Sequence, residues 1–466
     1  MRSFFLFLIL FFTGLQMLFA QTFVTGNALQ DSALRVAVWT IDHNTENSLL
    51  KAGADYGGEW TRDISMNSWN AVSLLRPDVA EFSLWSVTEN RQTIGHQYWD
   101  KILWTIAAWN HFVVTGNETF LREAYYCCKR TMQQLEDTCL DAKYGLFMGP
   151  AVFQDGITAY EEPIYDTTLE FQSYVLTHPN SHTIKCLSTN CVYYEAYLCL
   201  KEMALICEPV LASSYQKKAD QLKKQIRHYF YNKKEQKLYY LIDHTGKIHD
   251  FQEGLGNAFA VLFDVLTPKE QDAVLSKLYV SPSGIPSVWP SFKRHSVERP
   301  GRHNVMVWPH VCMYYAAACA HANRMDLFHD EMARITHLAT QCDPKGEVNF
   351  HEIYTVDGVP SGGWQVGGFW PPLNHQTWCA TGYLRNYLNV ILGMQFEKEG
   401  IHFHPIGSTV GTITATDLHY RNAVLNVTIE GQGGKMVSCM INGQPAEPFV
   451  AADVVGTISV VIVLSE

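Results

Sequence analysis

The chain has 466 residues, of which 47% are hydrophobic and 17% are charged, so it can bury a large core and is not intrinsically disordered. The formal net charge is -11, and no run of Lys and Arg offsets it. This balance argues against nucleic acid as a partner and against binding to anionic lipid surfaces.

The first twenty residues have the pattern of an export signal. Arg2 gives a positive start, an apolar run extends from Phe4 to Phe12, and Ala20 ends a segment that resembles a cleavage site before Gln21. The apolar run is short for a membrane span, so an uncleaved anchor is the weaker alternative. We predict an exported, periplasmic or extracellular protein with no stable membrane insertion once residues 1–20 are removed.

From Leu29 to about Met394, apolar residues recur at helical spacing and the segments are joined by loops of unequal length. We count about a dozen helices, mostly as antiparallel neighbours. The clearest predicted helices cover residues 64–75, 102–114, 120–140, 192–206, 215–229, 255–266, 269–278, 306–322, 325–338 and 375–392.

Three long loops, 148–165, 281–303 and 341–374, are rich in Gly, Pro and aromatic residues. Long loops of this kind in a compact domain are usually functional. Residues 237–248 have the pattern of a β-hairpin. After about Gly400 the apolar residues alternate or run β-branched, which predicts a small β domain of about 70 residues.

The twelve cysteines show no paired spacing of the zinc or redox kind, and we predict no metal and no other cofactor. Cys186 and Cys191 flank a short loop and are a possible disulfide pair.

Twelve tryptophans are present, and several lie in the predicted loops beside Gly, Pro, His and acidic residues. Sugar rings stack an apolar C–H face on aromatic rings, while their hydroxyls need polar partners, so these loops suit a carbohydrate. Cleavage of a glycosidic bond requires two carboxyl groups on opposite sides of the sugar. The acidic residues of the loops are therefore the candidate catalytic groups.

Asp155 precedes Gly156 in a turn-like part of the first long loop, and we predict that it is the general acid. An ordinary Asp-Gly turn is the structural alternative. Glu161 and Glu162 lie in the same loop and are the alternative acids.

Glu352 lies among apolar residues just before a Gly- and Trp-rich segment that contains Trp364. Burial there would raise its pKa or require a partner, and we predict that Glu352 is the general base. The structural alternative is a strand residue that faces solvent.

Polar and aromatic residues at predicted helix starts are candidates for substrate binding. Two glycines precede Trp60, Arg62 and Asp63, and an arginine–aspartate pair of this kind can hold sugar hydroxyls, although a helix cap with a surface ion pair is the alternative. Two further helix starts bring together amide, imidazole and indole groups, for which capping and core packing are the alternative; they contain Trp308, His310, Gln376 and Trp378.

At these residues the sequence resembles the six-hairpin glycosidases, in particular glucoamylases and glycogen-debranching enzymes. Residues 60–63 are similar to the glucoamylase segment Trp-Thr-Arg-Asp, in which Arg and Asp hold the terminal sugar, and residues 307–310 to the Val-Trp-Pro-His segment of debranching enzymes. Glu352, with the later Gln376 and Trp378, looks like the catalytic base and its Gln-x-Trp segment. Asn190 resembles an asparagine that opens a helix in these enzymes, and Asp155 resembles their acid loop more loosely.

The resemblance implies a mainly α fold, an (α/α)6 toroid or six-hairpin barrel, in residues 21–399, followed by a small β-sandwich-like domain in residues 400–466. It implies an exo-acting, inverting glycoside hydrolase that removes a terminal α-glucoside or a related α-glycoside from an oligosaccharide or glycoconjugate. The substrate-binding residues would be Trp60, Arg62, Asp63, Asn190, Trp308, His310, Trp364, Gln376 and Trp378.

Two alternatives remain open at this point. Some helical barrels are polysaccharide lyases, which need a Tyr or His base, and Tyr354 and His310 are candidates. The other alternative is a non-catalytic barrel that binds carbohydrate without cleaving it.

Overall fold

The structure confirms most of the helices that the apolar periodicity predicts. The computed structural model describes residues 21–58, 60–96, 98–161, 178–296, 298–365, 368–406 and 411–465, so the predicted signal peptide and Glu162 lie outside the described residues. The α-helices are α1 (Ala28–His43), α2 (Thr61–Asn67), α3 (Ser73–Leu75), α4 (Pro77–Ser86), α5 (Leu103–Thr115), α6 (Glu118–Cys139), α7 (Leu187–Cys207), α8 (Ala212–Phe230), α9 (Gly254–Leu262), α10 (Pro268–Leu275), α11 (Pro309–His321), α12 (Met325–Gln341) and α13 (Thr377–Arg385).

Among the described residues, six helices contact one another in a closed inner ring, which runs α2, α5, α7, α9, α11, α13 and back to α2. The helices between them in sequence pack outside: α4 contacts α2 and α5, α6 contacts α5 and α7, α8 contacts α7, α12 contacts α11, and α1 contacts α13. This arrangement confirms the predicted (α/α)6 toroid.

The two rings differ in which helix faces are apolar. Helix α5 of the inner ring is buried on nearly every side, from Leu103 to Val114. Helix α8 of the outer ring buries only one stripe, which includes Ala219, Leu222 and Ile226, and turns its lysines outward. A helix that is apolar all round must be enclosed by others, whereas a one-sided helix covers a core, so the sequence places each helix in its ring.

Two inner helices begin later than the sequence predicts. Residues before Pro309 are not helical because Val307 pairs with Tyr354 and the backbone N–H of Val305 donates to the carbonyl of Val288. Helix α13 likewise begins at Thr377 and continues as a π-helix over Asn386–Ile391. The extended segment before α11 brings the loops 281–303 and 341–374 side by side.

Short hairpins connect many of the helices. They pair β2 (Thr45–Glu46) with β3 (Leu49–Leu50), β4 (Thr88–Glu89) with β5 (Thr93–Ile94), β6 (Leu140–Asp141) with β7 (Leu146–Phe147), and β9 (Tyr231–Asn232) with β10 (Lys237–Leu238). The predicted hairpin forms around a turn at residues 243–247, where β11 (Leu241–Ile242) pairs with β12 (Ile248–His249). Strand β11 also pairs with β8 (Lys185–Cys186), while β10 pairs with β9 and does not extend the hairpin. Two more pairs are β13 (Gln252–Glu253) with β14 (Val288–Trp289) and β15 (Trp364–Gln365) with β16 (Gly368–Phe369).

The C-terminal part is rich in strands, as predicted. The larger sheet has the order β1 (Thr22–Val24), β19 (Ile413–Tyr420), β20 (Ala423–Glu430), β24 (Gly456–Ser465), β21 (Lys435–Ile441) and β22 (Gln444–Pro445), with β20 and β24 parallel. A smaller sheet joins β17 (Met394–Phe396), β18 (Gly400–Phe403) and β23 (Phe449–Ala451). Strand β20 buries every second residue, which attaches one face of the larger sheet to the core.

Two sequence features can be placed directly. Cys186 and Cys191 are both buried and both free, so they do not form the disulfide considered from the sequence. Within the part of the chain that the structure describes, no helix combines the length and the apolar character needed to cross a bilayer.

Candidate active site

A cleft of about 240 Å3 lies at the end of the toroid where α2, α11 and α13 begin. The long loops contribute the rest of its wall. The lining residues are Ala52, Tyr56, Trp60, Arg62, Asp63, Phe153, Asp155, Gly156, Arg302, His303, Trp308, Glu352, Gln365, Trp370 and Trp378. A concave site with aromatic walls and a few converging charged groups is typical of a small-molecule or sugar-binding site.

Arg62, in the first turn of α2, faces three aspartates. Its Nη2 lies 3.1 Å from Oδ2 of Asp155, its Nη1 lies 3.6 Å from Oδ2 of Asp100, and its Nε lies 3.6 Å from Oδ2 of Asp63. Arg62, Asp63 and Asp100 are buried, while Asp155 is partly open to the cleft. One guanidinium therefore serves three carboxyl groups, and it cannot compensate the full charge of all three.

The pKa values of these aspartates diverge accordingly. Burial raises the pKa of Asp63 to about 7 and that of Asp100 to about 6, because Arg62 offsets only part of the desolvation. Burial also opposes the ionisation of Asp155, but the adjacent guanidinium of Arg62 contributes to a net pKa below the ordinary value. Asp155 is thus the carboxylate that Arg62 stabilises most.

A second ion pair, between Arg302 and Glu352, lines the same cleft. Nη2 of Arg302 bonds to Oε2 of Glu352, and both side chains are about 6% exposed. Arg302 also donates from Nη1 to the carbonyl of Gly362 at 2.9 Å and from Nη2 to the hydroxyl of Tyr56 at 3.2 Å. Burial raises the pKa of Glu352, and Arg302 opposes that shift. Here one guanidinium serves one carboxyl group.

Aromatic rings hold this second arginine from its other sides. The guanidinium carbon of Arg302 lies 5.2 Å from the ring centre of Trp308 and 4.9 Å from that of Trp370. Cation–π contacts of this kind favour a fixed, charged guanidinium. Glu352 is therefore buried beside a cation that has little freedom to leave it.

The loop that carries Asp155 has a specific backbone conformation. Phe153 has a φ of 58°, and the amide of Asp155 donates to the carbonyl of Phe153 at 3.0 Å, so the chain turns sharply just before the acid. Gly156 is required at its position, because a Cβ there would lie 2.5 Å from Cδ2 of His303. Gly156 thus allows His303 to approach the acid, which an ordinary Asp-Gly turn would not need.

His303 is the neutral neighbour of Asp155. Burial lowers the pKa of His303 to about 3, so the imidazole is uncharged near neutral pH. With the hydrogen on Nδ1 donated to Oε1 of Gln154 at 3.0 Å, Nε2 keeps a lone pair 3.8 Å from Oδ1 of Asp155. The imidazole is therefore a neutral neighbour of Asp155 that lies beyond hydrogen-bond distance.

Seven of the residues selected from the sequence come together in the cleft. They are separated by up to about three hundred positions in the chain, yet all line the same cleft: Trp60, Arg62, Asp63, Asp155, Trp308, Glu352 and Trp378.

Three other residues predicted to bind substrate, His310, Trp364 and Gln376, do not line the cleft. His310 is fully buried and stacks on Trp378 with 4.0 Å between ring centres, and burial lowers its pKa well below the ordinary value. Gln376 is buried against Gly53, where any Cβ would collide with the amide. Trp364 lies against the guanidinium of Arg299 at 3.6 Å, and the adjacent Gln365, rather than Trp364 itself, lines the cleft.

Asn190 and Glu161 lie elsewhere. The side chain of Asn190 accepts from the amide of Phe147 at 2.8 Å and donates to the carbonyls of Phe147 and Cys186, so it ties a hairpin to α7 instead of facing the cleft. This corrects its prediction as a substrate-binding residue. Glu161 faces His249, with 3.4 Å between Oε2 and Nδ1, and does not line the cleft, while Glu162 lies outside the described residues.

The sequence did not single out several residues that shape the site, among them Tyr56, Asp100, Arg302, His303 and Trp370. Asp100 follows two aromatic residues just before α5, a grouping similar to that around Trp60, which could have indicated it. Arg302 lies in a loop that was predicted to be functional, but nothing in the sequence shows that its partner is fifty residues away.

The residues proposed for a lyase are poorly placed. The hydroxyl of Tyr354 lies 3.2 Å from the carbonyl oxygen of Leu338 and 3.3 Å from that of Asn349, and burial raises its pKa well above the ordinary value. Neither Tyr354 nor His310 lines the cleft. A base drawn from these two residues would have no contact with a substrate in the cleft.

Comparison with known proteins finds one family model that matches part of the chain. Residues 59–281 match the family model described as the bacterial alpha-L-rhamnosidase 6 hairpin glycosidase domain. No curated protein sequence matches the chain.

Solved structures share the fold at low sequence identity. A sialidase is similar with a TM-score of 0.71 at 13% identity over 91% of this chain and 40% of its own. A GH78 rhamnosidase from Bacillus sp. GL1 has a TM-score of 0.62 at 12% identity, covering 96% of this chain and 44% of its own. A GH63 mannosylglycerate hydrolase from Thermus thermophilus has a TM-score of 0.56 at 12% identity, covering 76% and 99% respectively.

This chain thus spans less than half the length of the first two structures. Together with the family match, the likeness confirms the predicted six-hairpin architecture and the resemblance to six-hairpin glycosidases.

Proposed function

We propose that this chain, whose helical toroid is a six-hairpin glycosidase domain, is an exo-acting glycoside hydrolase that releases a terminal α-linked sugar with inversion at the anomeric carbon. Its substrate would be an oligosaccharide or a glycoconjugate. The observation that carries the proposal is the meeting of Asp155 and Glu352 in one aromatic cleft, each beside its own arginine.

We assign Asp155 as the general acid and Glu352 as the general base. Glu352 accepts hydrogen bonds from Arg302 and from the hydroxyl of Tyr56, and both stabilise the carboxylate that a base must present to water. The side chain of Asp155 is 24% exposed, so a bound sugar would remove it from water and favour its protonated form.

The directions of the pKa shifts in the structure favour the reverse assignment, because the pKa of Glu352 is raised and that of Asp155 is lowered. The two assignments differ in which residue protonates the leaving oxygen. Only the loss of an acid can be compensated by a leaving group that needs no proton.

This difference gives a decisive experiment with Asp155→Asn and Glu352→Gln. Both variants are assayed on an aryl α-glycoside with a poor leaving group and on the dinitrophenyl glycoside of the same sugar. We expect both variants to lose about 100-fold or more on the poor leaving group, and Asp155→Asn alone to recover on the dinitrophenyl glycoside. Recovery by Glu352→Gln alone would exchange the roles, and full activity in both variants would remove the two-carboxylate mechanism.

The charges of the cleft favour a neutral sugar. Both of its arginines already face carboxylates, so little positive charge is left to bind a sugar acid. Aromatic rings from Trp60, Trp308 and Trp378 offer stacking surfaces for a pyranose. We propose a glucoside, a rhamnoside or a mannoside, the last two being the sugars named for the similar rhamnosidase and mannosylglycerate hydrolase.

A panel of aryl α-glycosides that includes a glucuronide tests this choice. We expect one neutral glycoside to be cleaved and the glucuronide to be left intact. Proton NMR during the first minutes of turnover identifies the anomer released, and a retained configuration would contradict inversion. Preference for the glucuronide would contradict the charge argument.

We also propose that the protein is exported and acts in the periplasm or outside the cell. Expression of the full chain followed by mass spectrometry of the recovered protein should give an N-terminus at Gln21. Recovery of the uncleaved chain in the membrane fraction would replace this proposal with a membrane-anchored form.

A further inference from the structure

The hairpin of β15 and β16 brings one polar side chain, that of Gln365, to the cleft. Gln365 and Trp370 line the cleft and their strand neighbours Trp364 and Phe369 do not, because successive residues of a strand point to opposite faces. Gln365 pairs with Gly368 across the hairpin. Gly368 has no side chain, and beyond its chain neighbours no described atom lies within 4 Å of the position that its Cβ would take. The side chain of Gln365 is therefore left uncovered by β16.

The amide group of Gln365 has a fixed orientation. The backbone before it is anchored, because the carbonyl of Trp364 accepts from the amide of Arg302 at 2.8 Å. The hydroxyl oxygen of Thr158 accepts from the amide of His303 at 3.0 Å and lies 3.1 Å from Oε1 of Gln365. The single hydrogen of that hydroxyl is therefore free to be donated to Oε1. This contact turns Nε2 of Gln365, a donor, to the other side.

Nε2 of Gln365 and Nε2 of His303 meet beside the residue that follows Asp155. A Cβ at Gly156 would lie 2.9 Å from the first nitrogen and 2.8 Å from the second, so the two are close enough for one oxygen atom to contact both. Among the described residues, the bond with Thr158 is the one hydrogen bond of the Gln365 side chain.

The two nitrogens differ in their hydrogen-bonding character. The amide nitrogen of Gln365 can only donate. The imidazole of His303 carries its hydrogen on Nδ1, which faces Gln154, and burial lowers its pKa to about 3, so its Nε2 keeps a lone pair near neutral pH. A donor and an acceptor that converge in this way fit a hydroxyl group, which accepts one hydrogen bond and donates another.

We propose that Gln365 and His303 together bind one hydroxyl group of a second sugar, on the leaving-group side of the bond that is cleaved. The amide of Gln365 donates to the hydroxyl oxygen, and the hydroxyl donates to Nε2 of His303. The side follows from Asp155, because a general acid protonates the glycosidic oxygen and the groups beside it face the leaving group. The substrate is then an oligosaccharide whose second unit is a neutral sugar. This inference rests on the proposed function, with Asp155 as the acid.

The test uses Gln365→Met, which keeps the length of the side chain but has no donor. Its kcat/KM is compared with that of wild type on two substrates that share the terminal sugar: the phenyl α-glycoside, and the disaccharide with glucose that wild type cleaves best. We expect a loss of about tenfold on the disaccharide and of less than about twofold on the phenyl glycoside. Activity on the phenyl glycoside also shows that the variant is folded. Equal losses on both substrates would overturn the proposal.

Gln252→Met is the matched control. Gln252 also lies on a two-residue strand and is partly exposed, but its amide bonds to the backbone of Tyr279, at 2.9 Å from Nε2 and 2.8 Å from Oε1, and it does not line the cleft. It should leave the ratio of the two activities as in wild type. A change of the ratio in this control as large as in Gln365→Met would contradict a specific contact with the second sugar.

A binding measurement separates this inference from the proposed function. Titration calorimetry uses sulfur-linked disaccharides, which resist hydrolysis, with glucose, mannose or rhamnose joined to glucose, and the methyl α-glycosides of the same three sugars. We expect wild type to bind one disaccharide more tightly than its methyl glycoside, and Gln365→Met to lose about tenfold of that preference.

The combined outcomes decide between the two proposals. This preference and its loss, in a protein that hydrolyses no glycoside, would leave the site for the second sugar standing and remove the proposed function. Hydrolysis with the same preference in wild type and Gln365→Met would keep the proposed function and overturn the role of Gln365. A protein that shows neither hydrolysis nor preference would overturn both.

Discussion

The two arginines of the cleft differ in the number of carboxyl groups that they serve. Arg62 faces Asp63, Asp100 and Asp155, whereas the ion pair that Arg302 forms among the described residues is with Glu352, and two indole rings flank it. The Arg62 cluster is therefore crowded with negative charge and its protons are easily gained or lost. The Arg302 pair is balanced, and its geometry is fixed by neighbours that do not titrate near neutral pH.

This contrast suits the two tasks that the proposed mechanism assigns to the two sides. A proton donor must exchange its proton in every cycle. In the crowded cluster Asp63 and Asp100 have pKa values of about 7 and about 6, whereas the pKa of Asp155 is lowered, so Asp155 would gain its proton when a bound sugar covers it. A base that activates water must stay ionised and fixed in position, which a balanced ion pair provides. Substitutions in the Arg62 cluster and in the Arg302–Glu352 pair should therefore have different effects on stability and on its pH dependence.

The largest effect is expected from Arg302→Met, which breaks the balanced pair. Glu352 would remain buried without its counter-charge, and such a loss costs about 3–5 kcal/mol. The pKa of Glu352 would rise further above its value in the unfolded chain, so the folded state gains a proton at low pH. The variant should therefore be less destabilised at about pH 5 than at about pH 8, as measured by urea unfolding.

Arg227→Met provides the comparison for that variant. Arg227 pairs with Glu270 through two hydrogen bonds at 2.8 and 2.9 Å, but this pair is partly exposed to solvent. Its loss should cost less than about 1 kcal/mol. Equal losses in the two variants would mean that Glu352 does not depend on Arg302 in the way that its burial implies.

The sequence predicted the helices well because the signals involved are local, whereas the toroid was implied by the resemblance to six-hairpin glycosidases. Whether a helix is apolar all round, as α5 is, or on one stripe, as α8 is, can be read within twenty residues. Acidic residues beside glycine and aromatic residues likewise led to Asp155 and Glu352. The positions of these elements in the chain were enough to indicate which loops would form the site.

The pairings inside the site were not predictable because they join distant parts of the chain. Arg62 meets Asp155 across 93 positions, and Arg302 meets Glu352 across 50. The error over Asn190 has the same origin, since its partner Phe147 lies 43 positions earlier and turns a polar helix start into a structural tie. Sequence patterns select residues of the right chemistry, but only the fold decides whether they meet a substrate or a backbone.

A smaller effect is expected when the crowded cluster is relieved by Asp63→Asn. Because the pKa of Asp63 is raised to about 7, the folded protein binds a proton there that the unfolded chain has lost near neutral pH. The stability that this proton provides is present below the unfolded pKa and is lost as pH rises toward 7. Wild type should therefore lose roughly 2 kcal/mol more than Asp63→Asn between about pH 5 and about pH 8.

Urea unfolding of both proteins at the two pH values checks this prediction. The amide that replaces the carboxyl group of Asp63 would face Arg62 without charge, so activity is expected to change as well, but the stability difference does not depend on turnover. Identical pH dependence in the two proteins would mean that Arg62 already compensates all three aspartates, and the contrast between its cluster and the Arg302 pair would disappear.

The smallest effect should come from Tyr56→Phe, which removes one hydroxyl donor beside the Arg302–Glu352 pair. The hydroxyl of Tyr56 accepts from Arg302 at 3.2 Å and hydrogen-bonds to Glu352, so its loss should cost about 1 kcal/mol and raise the pKa of Glu352 slightly. The limb of the pH profile of kcat/KM that depends on Glu352 should then move to higher pH. Tyr354→Phe also removes a buried hydroxyl, but one bonded only to backbone, and it should lower stability without moving that limb. If both variants move the limb equally, the hydroxyl of Tyr56 acts on packing and not on the charge of Glu352.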